Sequence, residues 1–205
     1  MTCWRLQRPE EYFDKIAAKY AEITSRGILG AMRKKERECV MQMLSPQPRE
    51  TVLDAGCGAG FYSSSIKECG AEVLGVDISP KMVEAAIKSG IKAEVRDLKT
   101  LNLGRKFNKI VCAGVLEFCE EPQRVIENLK NHLNEHGFIV FLIPSLSLCG
   151  LAYKLYHLSH GVHVTLFSLG RFEKSLNKSG LKIVAIENPT PFTYVLKAEP
   201  IARQV

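Results

Sequence analysis

The sequence has no C-x-x-C pair and no other cysteine spacing that seats a zinc ion, although it carries 7 cysteines. Scattered in odd number at positions 3, 39, 57, 69, 112, 119 and 149, they read as free thiols in a reducing compartment. A membrane-spanning run is also missing, since the apolar stretch Phe138–Leu142 is far short of the roughly 20 residues a bilayer demands. Met1-Thr2-Cys3-Trp4-Arg5 lacks the apolar run of a signal peptide, and a cytoplasmic location is expected. No basic run interleaved with aromatics appears. The densest basic stretch, Arg33-Lys34-Lys35-Glu36-Arg37, reads as a solvated helix face. A formal net charge of +6 permits anionic partners without demanding them, so nucleic acid is not the expected partner.

With 205 residues, 46% hydrophobic and 24% charged, the chain suits one soluble α/β domain with a modest extension. Its organising stretch is Thr51–Gly60, Thr-Val-Leu-Asp-Ala-Gly-Cys-Gly-Ala-Gly. Val52 and Leu53 read as a short buried strand, and Gly56, Gly58 and Gly60 make a turn where backbone can approach a ligand closely. Phe61–Cys69 follows with helical character, and such a strand-to-helix junction is where open α/β sheets bind nucleotides. A second strand, Glu72–Val76, ends at Asp77, whose carboxylate is placed to accept from two ribose hydroxyls. A helix N-cap before Ser79-Pro80 is the plainer role for Asp77. The glycine spacing, Gly56-x-Gly58-x-Gly60, differs from the G-x-G-x-x-G of a pyrophosphate site, which disfavours a dinucleotide oxidoreductase. Asp54 just before it would repel a phosphate and could balance a cationic ligand.

Asp54-Ala55-Gly56-Cys57-Gly58-Ala59-Gly60, followed by Gly75-Val76-Asp77-Ile78-Ser79, resembles the class I S-adenosylmethionine-dependent methyltransferases, of the small-molecule type found in ubiquinone biosynthesis. The resemblance covers about residues 9–198. It implies a doubly wound α/β fold with a seven-stranded, mostly parallel sheet in the order 3-2-1-4-5-7-6. N-terminal helices and a helical lid insertion complete it. It implies S-adenosylmethionine as cofactor and S-adenosylhomocysteine as product. The cofactor site it implies comprises Asp54, Gly56, Cys57, Gly58, Asp77 and Ile78, with Met82 against the adenine. Asp97 and Leu98 would serve the adenine edge, Ala113 the end of the fourth strand. Tyr12-Phe13-Asp14 with Ala17 and Tyr20 resembles the family's leading helix, which places Tyr12 and Tyr20 over the cofactor.

Residues 1–48 are expected to form a helical cap, and 49–205 the core, with 145–164 as a lid where Leu148, Leu151, Leu155 and Leu158 repeat at helical spacing. A sixth strand at Leu181–Glu187 and a seventh at Phe192–Lys197 follow. Many relatives carry His where Phe118 stands, so one acid/base group is lost. His163 is the first candidate base, with His157 and Glu117 behind it. His157, His160 and His163 lack a completing carboxylate or cysteine, so no metal is expected. No Asn/Asp-Pro-Pro-Tyr/Phe run is present, which disfavours methylation of exocyclic base or glutamine nitrogens. The expected function is methyl transfer to a small-molecule acceptor by a monomer or homodimer. An RNA or protein methyltransferase, or a cofactor-binding subunit without turnover, are the alternatives.

Overall fold

The computed structural model describes residues 7–25 and 27–202, and for residues 18–25, 28 and 29 the backbone alone. Two helices lead, α1 (Pro9–Ser25) and α2 (Gly27–Leu44). Strands and helices then alternate: β1 (Thr51–Ala55), α3 (Phe61–Glu68), β2 (Glu72–Asp77), α4 (Pro80–Lys88), β3 (Ala93–Val95), β4 (Phe107–Ala113), α5 (Pro122–Asn131) and β5 (Leu133–Pro144). The chain closes with α6 (Leu148–Ser159), α7 (Leu169–Lys178), β6 (Leu181–Thr190) and β7 (Thr193–Pro200). All seven strands join one sheet in the expected order, β3-β2-β1-β4-β5-β7-β6. The first five run parallel, and β7 lies antiparallel to both of its neighbours.

The inner strands are apolar on both faces because both are covered, as a sheet with crossover helices requires. Successive side chains alternate between faces. Leu53, Ile110, Ile139 and Phe141 pack toward α5 and α7, which contribute Leu129, Phe172 and Leu176. Val52, Val111, Val140 and Leu142 pack the other way, toward Val40 and Leu44 of α2 and Ile66 of α3. Helix α2 is therefore a layer of the core. Among the described residues, no helix is long and apolar enough to cross a membrane.

Three elements are irregular. Asn134–Gly137 is the uneven start of β5: Phe107 pairs with Leu133 and Lys109 with Phe138, so the extra β5 residues are taken up as a bulge. β6 runs on through Pro189, which an edge strand tolerates because its missing N–H is not needed for a ladder. Ser168 stands at the N-cap of α7, but its side chain makes no capping bond.

Phe172 is 1% exposed and meets Phe141 and Phe167 edge to face at 5.5 and 5.4 Å. Phe172→Ala is expected to lower stability by about 3–5 kcal/mol in urea unfolding. A loss under about 1 kcal/mol would mean that α7 does not depend on this contact.

Candidate functional site

At the carboxyl end of β1 the chain turns through Gly56, Gly58 and Gly60, all at positive φ of 80°, 51° and 88°. A Cβ on Gly56 would collide with Val115 Cγ2, so glycine is required there by contact as well as by φ. The N–H groups of Gly56 and Cys57 both donate to the Val76 carbonyl, at 2.7 and 3.0 Å, which ties the turn to β2. At the end of β2, Asp77 Oδ2 accepts from Gly58 N–H at 2.8 Å and Oδ1 from Ser79 N–H at 2.9 Å. Burial pushes the Asp77 carboxyl up from its ordinary value, and the Ser79 and Gly58 donors pull it back. The helix cap beyond it is Ser79, whose Oγ accepts from Met82 N–H at 3.1 Å. Ser79 Oγ also donates to Asp14 Oδ1 at 2.5 Å, and Lys81 N–H donates to the same oxygen at 3.2 Å. The Tyr-Phe-Asp segment thus fastens α1 to the N-terminus of α4.

The facing wall is a short 3-10 turn, Leu98–Thr100, capped by Asp97 Oδ1 through Lys99 N–H at 2.8 Å. Asn128 of α5 donates to the carbonyls of Leu98 and Lys99 at 2.9 and 2.7 Å, which fixes that turn from behind. Between these walls lies a cavity of about 610 Å³. Gly56, Cys57, Gly58 and Asp77 line it, as do Ile78, Met82, Asp97, Leu98 and Ala113.

Other nominated residues lie elsewhere. Asp54 does not line the cavity: it is 1% exposed and accepts from Ser63 Oγ at 2.6 Å, joining β1 to α3. Burial raises its pKa to about 6. Tyr12 is buried between Phe13 and His157, its ring centroid 5.2 and 5.9 Å from theirs. The side chain of Tyr20 lies outside the described residues. His163 is exposed and absent from the cavity lining, while Val162 and Val164 on either side are buried. His157 is half-buried among the rings of Tyr12, Phe118, Tyr153 and Tyr156, and burial lowers its pKa to about 4. Glu117 is 3% exposed, behind Gly114, with an Oε2 that has no hydrogen-bond partner among the described residues. Burial, with the charge of Glu36 adding, raises its pKa to about 8.

The basic cluster of α2 is not the uniformly solvated face expected of it. Only Lys34 and Lys35 form a solvated face; the guanidinium carbons of Arg33 and Arg37 lie 4.9 and 5.1 Å over the Phe61 ring, on the cavity wall. Residues 33, 37, 40 and 44 share one helical face, and the buried Val40 and Leu44 mark it as the inner one. Phe118 also lines the cavity, its centroid 5.1 Å from that of Phe13, so the residue that stands in place of His makes an aromatic wall.

Folded Glu117 keeps its proton to about pH 8, whereas an unperturbed glutamate ionises near 4.5. Between those values the folded state binds the extra proton, so this group makes stability fall as pH rises. Glu117→Gln removes that dependence. In urea unfolding the variant should gain on the wild type steadily from about pH 5 to about pH 8. Parallel stability curves would contradict a protonated Glu117.

Against known proteins, the family described as a methyltransferase domain matches residues 5–186. The ubiquinone biosynthesis O-methyltransferase of Bordetella avium is 26% identical over 168 residues, covering 74% of this chain and 69% of its own. That of Nitrosomonas europaea is 26% identical over 171 residues, covering 73% of each. Magnesium protoporphyrin IX methyltransferase from Synechocystis PCC 6803, crystallised with bound SAH, matches with a TM-score of 0.75 at 22% identity, over 92% of this chain and 96% of that one. The [4+2]-cyclase SpnF matches with a TM-score of 0.78 at 13% identity, over 97% of both chains, so the shared fold does not by itself fix a reaction. Because the family match spans most of the sequence, the chain belongs to the methyltransferase-domain family, of the class I S-adenosylmethionine-dependent type.

Proposed function

We propose that the cavity binds S-adenosylmethionine and that the chain transfers its methyl group to a small-molecule acceptor, releasing S-adenosylhomocysteine. The carrying observation is Asp77, fixed by two backbone donors beside a turn in which Gly56 admits no Cβ. Each Asp77 oxygen accepts one N–H and keeps a lone pair for a ribose hydroxyl. Asp97 and the Leu98 backbone would serve the adenine edge. The Asp77 and Asp97 carboxylates on the lining disfavour a pyrophosphate. Arg33 and Arg37 supply positive charge suited to the carboxylate of the methionine portion.

The cofactor supplies an electrophilic methyl group on a sulfonium whose departure as a neutral thioether drives the displacement. The chain's own contribution is alignment and exclusion of water. Phe13, Phe118 and Val115 give the cavity apolar walls for an acceptor. Glu117 holds its proton at neutral pH and is no base there, and His163 stands outside. An acceptor that ionises readily, such as a phenol, fits a site without a base. The names of the two relatives favour oxygen as the attacking atom. In this reading residues 1–48 and the 145–164 segment cover the 49–205 core. The six cysteines among the described residues are free, which supports a reducing, cytoplasmic setting.

Calorimetric titration with S-adenosylhomocysteine should give a dissociation constant in the micromolar range, about −8 kcal/mol, and NAD should give no heat. Asp77→Ala should cost about 1.5–3 kcal/mol of that affinity. Heat with NAD and none with S-adenosylhomocysteine would overturn the proposal. An undiminished affinity in a folded Asp77→Ala protein would leave Asp77 as a fastening of the turn alone.

A further inference from the structure

Helix α6 turns its leucines to solvent. Ser147 Oγ caps it by accepting from Gly150 N–H at 3.0 Å, and Gly150 is buried so closely on Ser145 that a Cβ would meet the Ser145 carbonyl oxygen. Farther along the same face, Tyr153 stacks on Phe192 at 5.9 Å and His157 packs into its ring of aromatics. That inner stripe is narrow. On the outer side Leu148 is 88% exposed, Leu151 47%, Leu155 58% and Leu158 43%, and Leu146 just before the helix is 66% exposed. Spaced three and four apart, the four helical leucines make one continuous stripe. A scattered exposed leucine needs no explanation, but a contiguous stripe marks an interaction face.

Charge decides what covers it. From Pro144 to Phe172 the sequence has no Asp or Glu, yet it holds Lys154, Arg171 and the histidines 157, 160 and 163. His160, His163 and Arg171 are exposed. With a net charge of +6, two copies of the chain repel one another, and this acid-free segment offers a second copy no partner for its cations. A bilayer with anionic headgroups offers an apolar layer for the leucines and negative charge for the cations at once. We propose that α6 docks flat on an anionic lipid surface, with Leu148, Leu151 and Leu155 at the acyl boundary and Lys154 at the headgroups. Docking goes beyond the methyl-transfer reading and stands without it. The two meet at one contact, since His157 on the inner face of α6 lies 5.6 Å from Phe118 of the cavity wall.

Sedimentation of the full chain with vesicles tests this, using mixed phosphatidylglycerol and phosphatidylcholine against phosphatidylcholine alone. The wild type should bind the anionic vesicles, lose that binding as salt is raised, and bind neutral vesicles less. The triple variant Leu148→Ser, Leu151→Ser, Leu155→Ser, checked for an unchanged thermal transition, should bind roughly tenfold or more weakly. Failure of the wild type to bind anionic vesicles would overturn the proposal. So would equal binding by the triple variant. A wild-type dimer in light scattering that the variant turns into a monomer would assign the face to a second copy instead.

Discussion

One carboxylate holds the candidate site together. Asp77 ends β2 with one oxygen on the Gly58 N–H and the other on the Ser79 N–H. It therefore fixes the turn that leaves β1 and the start of α4 in a single step. Ser79 passes the constraint on to Asp14 and so to α1. A carboxylate withdrawn from water at a strand end is costly unless donors surround it. Here the donors are backbone groups that a helix start and a glycine turn leave unpaired, so each need meets the other.

The other buried acids show how far partners decide a carboxyl's state. Asp54 has a serine hydroxyl at 2.6 Å, and its pKa rises only to about 6. Glu117 has an oxygen without a hydrogen-bond partner among the described residues, and its pKa rises to about 8. Glu36 is also raised by burial, and the Thr193 and Thr190 hydroxyls at 3.1 and 3.4 Å pull it back. Its bonds anchor α2 to the turn between β6 and β7, which keeps Arg33 and Arg37 against Phe61. A site with neutral Glu117 and an aromatic ring at 118 favours acceptors that need little help to lose a proton.

The strands were legible because their apolar runs are short and nearly continuous, and the cofactor turn because its glycines answer a backbone demand. Asp97 and Leu98, named by resemblance, line the cavity, but Asn128, which supports their turn from α5, left no local signal. The basic stretch of α2 misled because composition hides direction: Arg33 and Arg37 fall on the face of Val40 and Leu44, while Lys34 and Lys35 do not. His163 misled for the converse reason. Its neighbours, Val162 and Val164, are the buried pair, and His163 itself is exposed. Asp54 is expected to balance a cationic ligand, and in the structure its carboxylate accepts from Ser63 in the first turn of α3. The leucines of 145–164 were read correctly as helical, yet spacing does not say which way a stripe faces.

The central claim is that the cofactor turn is built in advance by Asp77. Amide hydrogen exchange at Gly58 in the ligand-free protein tests it most directly. A turn held by Asp77 predicts a Gly58 amide protected well above its unstructured rate without any ligand, with the protection lost in Asp77→Ala. A Gly58 amide that exchanges freely until S-adenosylhomocysteine is added would contradict it, and would make the ligand the organiser of the turn.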